Sequence, residues 1–104
     1  AIVLPHALRF NAAAASTGMA KVAAALGLHP LPAASAEANV ETIVARVASI
    51  LRALGTPRRL RDAGVRHEAL RAIAATGMED WFLRGNPRPV RDPSELLQIL
   101  EAAW

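Results

Sequence analysis

The hydrophobic pattern of the chain is strongest in residues 39–55. Apolar residues recur there at intervals of three and four, which is the spacing of one face of an amphipathic helix of about four turns. The positions are Val40, Ile43, Val44, Val47, Ile50, Leu51 and Leu54. Ser35 and Glu37 suit the start of this helix, and Gly55 with Pro57 suits its end. The pattern predicts a central helix that is the most buried element of the fold. Three alanines flank its apolar face and would let neighbouring helices approach closely: Ala45, Ala48 and Ala53.

Weaker patterns precede the central helix. Residues 1–4 are apolar and run into Pro5, which fits either a short buried strand or the tail of a helix. Small and polar residues at 11–16 then break the segment. A second helical stripe follows and ends at Gly27, with Met19, Val22, Ala23 and Leu26 as its members. Residues 28–34 contain Pro30 and Pro32 and are predicted to form a loop.

The second half of the chain carries further helix signals. Thr56 and Pro57 resemble an N-cap followed by proline at the first helical position, and predict about one turn over residues 58–62. The next stripe contains Leu70, Ile73, Ala74, Gly77 and Trp81, and Gly77 interrupts it. Asp92, Pro93, Ser94 and Glu95 form a capping box before a final helix that includes Leu96, Leu97, Leu100 and Trp104. The predicted fold is therefore all-α, a bundle of about five helices in one domain spanning residues 1–104.

Composition limits the possible classes of protein. The 104 residues are 53% hydrophobic but only 4% aromatic, so the core must be built from aliphatic side chains and alanine, which favours helix. There is no cysteine, which removes disulfides and thiolate chemistry. No run reaches the ~18 apolar residues that a membrane span needs, and no basic region precedes the apolar start as in a signal peptide. We therefore expect a cytoplasmic protein that does not bind membranes.

The charge pattern does not favour nucleic-acid binding. The formal net charge is +3 and the pI about 11.0, values that would suit a nucleic-acid partner. The arginines are instead spread over several segments, and the aromatic residues are not interleaved with them as stacking platforms.

Catalytic or metal-binding patterns are weak. His6, His29 and His67 are far apart in sequence, whereas a metal site needs three or four convergent ligands. His29 and His67 lie in or beside turns, where we expect them to be solvated. The carboxylates occur at helix starts and on polar faces, and no glycine-rich phosphate loop is present. Phe82, Arg84 and Arg88 lie in the one loop that combines an aromatic with basic groups; a solvent-facing connector is the alternative interpretation.

Both ends of the chain resemble one enzyme family. Residues 1–11, Ala-Ile-Val-Leu-Pro-His-Ala-Leu-Arg-Phe-Asn, resemble the segment after the metal-binding histidine in iron-type (group III) alcohol dehydrogenases. Residues 85–89, Gly-Asn-Pro-Arg-Pro, and the helix ending Ala-Ala-Trp resemble the C-terminus of that family. Residues 54–65 are similar to its linker between central helices. Within the family the motifs are most similar to maleylacetate reductases, which reduce maleylacetate to 3-oxoadipate; a general iron-type alcohol dehydrogenase is the alternative.

The resemblance implies a role in part of an enzyme. Family members have a nucleotide-binding α/β domain followed by an all-helical domain, and their metal ligands precede the segment that residues 1–11 resemble. This chain would then be the last part of the helical domain, with no cofactor or metal site of its own and no activity alone. NAD(P)H and a divalent metal, iron or zinc, would belong to the full-length enzyme. The chain would form one wall of the substrate cleft, with Phe82, Arg84 and His6 as candidate residues, although the residues around Phe82 match the family loop in position more than in type.

The same resemblance implies partners. They would be the N-terminal domain, or a second copy of the chain through self-association, and a homodimer of the full enzyme. Two alternatives come from other classes of protein: an independent helical interaction module, and a basic nucleic-acid binder.

Overall fold

The computed structural model describes residues 1–29 and 35–104. Within these residues the chain forms five α-helices and three short 3₁₀ turns, and no strand. The α-helices are α1 (Leu4–Asn11), α2 (Ser16–Ala25), α3 (Ala36–Ala53), α4 (Leu70–Gly77) and α5 (Pro93–Ala103), and the 3₁₀ turns are Arg61–Ala63, His67–Ala69 and Trp81–Gly85. The prediction of an all-α fold with about five helices is confirmed.

Helix α1 replaces the strand that residues 1–4 could have formed. The helix begins at Leu4, with Pro5 in its first turn. Proline is tolerated there because the amide hydrogens of a first turn have no partner within the helix. The strand interpretation is therefore wrong. Helix α1 contacts both α3 and α5, so it joins the two halves of the fold.

Helix α3 begins and ends as the sequence predicts. The Ser35 hydroxyl accepts a hydrogen bond from the Ala38 amide at 3.2 Å, which satisfies one of the unpaired donors of the first turn. At the other end Gly55 adopts φ +74°, and its amide donates to the Arg52 carbonyl at 3.0 Å. The Thr56 amide donates to the Leu51 carbonyl, also at 3.0 Å. These two bonds form a Schellman motif, which ends the helix.

The apolar face of α3 is covered over only part of its length. Ile43 and Val44 are buried, whereas Val47 is half-buried. Ile50 is 39% exposed and Leu54 is 74% exposed. The described residues leave these last two side chains exposed. The prediction that α3 is the most buried element is wrong, because its 18 residues include two buried side chains, as many as the eight residues of α4.

Met19, Ala23 and Ile43 form a buried cluster between α2 and α3, and Val47 packs against it. Leu70 on α4 is also fully buried, and α4 packs along α5. A Cβ atom added at Gly77 would lie 3.1 Å from Leu96 Cδ1, so glycine permits the close approach of these two helices.

The predicted helix start at Thr56 and Pro57 is wrong. The first turn after α3 is Arg61–Ala63, five residues beyond Thr56. The Thr56 amide is engaged in ending α3, and the Leu60 amide donates to the Ala103 carbonyl of α5 at 2.9 Å. Residues 56–60 therefore form a connection, which is hydrogen-bonded to the end of α5 before the turn Arg61–Ala63 begins.

Other predicted boundaries agree with the structure. Gly27 adopts φ +69° after α2, and α4 ends at Gly77, where the pattern is interrupted. The Asp92 carboxylate accepts from the Ser94 amide at 2.7 Å, and Glu95 accepts from the Arg91 amide at 2.8 Å. The predicted start of α5 is thus confirmed with Asp92 as its N-cap, although Asp92 accepts from the second residue of the helix rather than from Glu95, so the reciprocal pairing of a capping box is incomplete. Pro30 and Pro32 of the predicted loop lie outside the described residues.

Candidate functional site

The 3₁₀ turn Trp81–Gly85 presents two of the three candidate residues. The Asp80 carboxylate accepts a hydrogen bond from the Phe82 amide at 2.9 Å and so fixes the start of the turn. Phe82 is 78% exposed and Trp81 is 69% exposed. Their rings meet edge to face, with centroids 5.2 Å apart. Arg84 is also exposed and forms no ion pair with any described residue. The turn therefore offers solvent an aromatic pair beside an unpaired guanidinium.

Side-chain amides hold the segment that follows this turn. The Asn11 side-chain amide donates to Asn86 Oδ1 at 3.0 Å, and that of Asn86 donates to Asn11 Oδ1 at 2.7 Å. The Asn86 amide also donates to the Arg88 carbonyl at 2.6 Å. The guanidinium of Arg88 stacks over the ring of Phe10, 4.0 Å from its centroid, and bonds to Glu95 at 3.2 Å. The two end segments of the chain thus meet in one polar cluster, which positions the Trp81–Gly85 turn against α1.

His6 lies in a different place from Phe82 and Arg84. It is half-buried on α1 and lines a hollow between α1 and α3, of which Phe82 and Arg84 are not part. Burial, and secondarily the charge of Arg9, lowers the pKa of His6. The three candidates therefore do not share one described pocket. Their assignment to a substrate cleft stays a prediction.

Arg9 and Glu41 connect α1 to α3 at one end of this hollow. Two parallel hydrogen bonds join the guanidinium to the carboxylate, at 2.6 and 2.8 Å. The hydrogen bond from Arg9 lowers the pKa of Glu41. Because both side chains are about half exposed, a pair of this kind contributes no more than about 1 kcal/mol. Its role is to align the two helices.

The last residue of the chain packs against the segment before α4. The Trp104 indole donates to the Val65 carbonyl at 3.0 Å, and Arg61 lies 5.4 Å from the indole centroid. The ring of His67 meets Trp104 edge to face at 4.7 Å, and its Nε2 lies 2.7 Å from a Glu101 carboxylate oxygen. His67 is exposed, as expected of a solvated side chain, and it also contacts Trp104 and Glu101.

The described residues do not fit a metal ion. In residues 1–29 and 35–104, no group of three or more histidine, cysteine, aspartate or glutamate side chains converges. His67 has one carboxylate neighbour, and His6 lies beside a guanidinium rather than further ligands. We assign no metal chemistry to these residues. Within the same ranges, no helix is both long enough and apolar enough to cross a membrane.

Comparison with known proteins matches the whole length of this chain to one enzyme family. Residues 1–104 match the profile of the Fe-containing alcohol dehydrogenase family, C-terminal. The chain is 32% identical over 104 residues to lactaldehyde reductase of Escherichia coli strain K12, covering 100% of this chain and 27% of that protein. It is 33% identical over 103 residues to maleylacetate reductase of Pseudomonas knackmussii, covering 99% of this chain and 25% of that protein. The chain thus spans about a quarter of the length of these relatives, and its identity to the two is nearly the same.

Proposed function

This chain belongs to the Fe-containing alcohol dehydrogenase family, and we propose that it forms a helical wall of the active-site cleft in an NAD(P)H-dependent reductase. The finer proposal is a maleylacetate reductase, which converts maleylacetate to 3-oxoadipate. A nucleotide-binding domain supplies the cofactor and the metal ligands. The chain alone has no activity, because it contributes contacts to the substrate rather than the hydride donor.

The observation that carries this proposal is the composition of the Trp81–Gly85 turn. The turn is anchored by Asp80 on one side and by the Asn11–Asn86 pair on the other. Trp81 and Phe82 offer apolar area, and Arg84 offers a guanidinium without an ion-pair partner in the described part of the chain. A guanidinium recognises a carboxylate through two parallel hydrogen bonds. The turn therefore suits an organic substrate that carries a carboxylate.

This charge favours maleylacetate over lactaldehyde as the substrate. Maleylacetate carries two carboxylates, whereas lactaldehyde is neutral and offers Arg84 no opposite charge. Sequence identity does not distinguish the two, because it is 33% to a maleylacetate reductase and 32% to a lactaldehyde reductase. Lactaldehyde reduction is the second candidate function.

Exposed apolar side chains support association with another domain. Leu54 and Ile73 are 74% and 43% exposed, in addition to the two aromatic residues of the turn. Exposed apolar groups of this size are typical of surfaces that another protein surface covers. We propose that the nucleotide-binding domain covers part of this surface, and that the complete enzyme is a homodimer. The chain by itself then self-associates at low micromolar concentration, which sedimentation measures; a stable 11 kDa monomer that binds no hydrophobic dye contradicts this.

A chimera tests the proposed function. The chain replaces the matched residues of the Pseudomonas knackmussii maleylacetate reductase, and NADH-dependent reduction of maleylacetate is followed. We expect Arg84→Ala to raise KM about tenfold or more, as loss of a charged hydrogen bond requires, and Arg84→Lys to recover part of the loss. Arg71→Ala, on exposed α4 surface, is the control and leaves KM unchanged. An unchanged KM in Arg84→Ala would overturn the assignment of this turn to the substrate.

A further inference from the structure

The hollow between α1 and α3 is lined by a mixture of apolar and cationic groups. Its volume is about 230 Å³, below the ~300 Å³ at which pockets begin to hold drug-sized ligands. On the α3 side the lining positions are Glu41, Val44, Ala45, Ala48, Leu51 and Arg52, which share one helix face. The flanking alanines leave the space, because longer side chains at Ala45 and Ala48 would reach toward α1.

The charged groups are divided between the two ends of this hollow. Arg9 and Glu41 neutralise each other at one end through their paired hydrogen bonds. Arg52 lies eleven residues further along α3 than Glu41, which is about 16 Å along a helix axis. Arg52 and Arg58 line the hollow, yet neither forms an ion pair with any residue in the described ranges. The second end therefore keeps two unneutralised guanidinium groups.

Between the two ends the lining is largely apolar. Ile2 and Pro5 contribute from α1 and its approach, and Val44 and Leu51 contribute from α3. His6 also lines this space, and burial lowers its pKa. An occupant would thus meet an apolar floor, an imidazole and a cationic end.

We propose that this hollow binds a small organic carboxylate, with its apolar body against α1 and α3 and its carboxylate between Arg52 and Arg58. The apolar floor distinguishes such a ligand from a simple inorganic anion, which would gain nothing from Val44 or Leu51. The volume restricts the body to about the size of one six-membered ring. This site is separate from the Trp81–Gly85 turn, so it does not rest on the proposed reductase function.

The test is a titration with benzoate of the maleylacetate reductase chimera described above, labelled with ¹⁵N at alanine and leucine, in which residues 1–104 are part of a complete enzyme. We expect the amide resonances of Ala45, Ala48 and Leu51 to shift with benzoate and to reach saturation. Benzyl alcohol lacks the carboxylate and inorganic phosphate lacks the apolar ring, so each should bind at least about tenfold more weakly than benzoate. Saturable shifts confined to the Trp81–Gly85 turn, or phosphate binding as tight as benzoate, would overturn the proposal. So would the absence of any benzoate-induced shift.

Two sets of variants separate the charge from the cavity. Arg52→Ala with Arg58→Ala weakens benzoate binding about tenfold or more, and because both side chains are exposed the fold persists. Ala48→Leu fills the hollow and weakens binding to a similar extent while every charge remains. Arg46→Ala, on the same helix but outside the hollow, leaves the dissociation constant unchanged. If Arg46→Ala weakens binding as much as the double variant, the effect is one of net charge and the site is refuted.

Discussion

Asn11 and Asn86 exchange side-chain amide hydrogen bonds across 75 residues of sequence. The Asn11 oxygen also accepts from the Arg88 amide at 3.2 Å. Through these bonds the end of α1 is fixed to the loop that leads into α5. The two end segments that resemble the enzyme family are therefore in contact, and Asn11 and Asn86 hold them together.

Removing either asparagine should lower the stability of the chain. We expect Asn11→Ala and Asn86→Ala each to lower the free energy of unfolding by about 1–2 kcal/mol, because each leaves a half-buried amide without its partner. The double variant should cost less than the sum, with a coupling of about 1 kcal/mol. Urea unfolding of all four proteins measures this. Gln98→Ala, on exposed α5 surface, is the control, and strictly additive losses would refute the pairing.

The burial of α3 predicts a gradient of sensitivity along one helix. Val44 is 2% exposed, and Val44→Asp places an unpaired charge in the core, at a cost of about 3 kcal/mol or more. Val47→Asp should cost about 1–2 kcal/mol, because the half-buried position lets the carboxylate reach water. Ile50→Asp should be close to neutral. Denaturant midpoints in any other order would contradict the burial of this helix, and an unchanged midpoint for Val47→Asp would refute its contact with Met19 and Ile43.

The environment of His6 predicts a pH dependence. Its pKa is lowered in the folded chain, so the unfolded chain binds more protons between that lowered pKa and the ordinary value of 6.5. The free energy of unfolding should therefore rise with pH across this window and become independent of His6 above 6.5. The comparison is with His6→Gln, which removes this contribution. Glu41 titrates below 4.5 and does not enter the same window. Parallel stability curves for parent and variant between pH 5 and 7 would contradict the prediction.

Local signals predicted much of the fold because they act within one or two turns. The signals are the hydroxyl of Ser35, the left-handed Gly27 and Gly55, and the carboxylate of Asp92, and each acts on the backbone at the end of its own helix. Their effect does not depend on what packs nearby. The helix boundaries that they set therefore agree with the structure.

The sequence was less informative about features of the fold that depend on contacts between distant residues. Thr56 and Pro57 have the composition of a helix start, but Thr56 is used to end α3. The apolar pattern of α3 cannot reveal that Leu54 is left uncovered, since coverage depends on which helices lie alongside. The contacts of Trp104 with Val65 and His67 join residues more than 30 positions apart. A tryptophan at the end of an apolar stripe was the only sequence signal for them.

The candidate site was the hardest part to predict. Phe82 and Arg84 are exposed, but the sequence grouped them with His6, which lies in a separate hollow. Side chains from different helices converge according to tertiary packing, and periodicity within each helix carries no information on that. No sequence motif marks Arg52 and Arg58, because they lie together only through the tertiary fold.

The substrate preference of a second chimera tests the central claim most directly. In it, residues 1–104 replace the matched 104 residues of Escherichia coli lactaldehyde reductase. Circular dichroism and NADH binding first establish that the chimera is folded and holds its cofactor. The measurement is the ratio of kcat/KM for maleylacetate to kcat/KM for lactaldehyde, compared with that of the parent enzyme. If this chain forms the wall that contacts substrate, the ratio rises about tenfold or more toward maleylacetate, and Arg84→Ala reverses the gain. A folded chimera that binds NADH and keeps the parental ratio would contradict the claim.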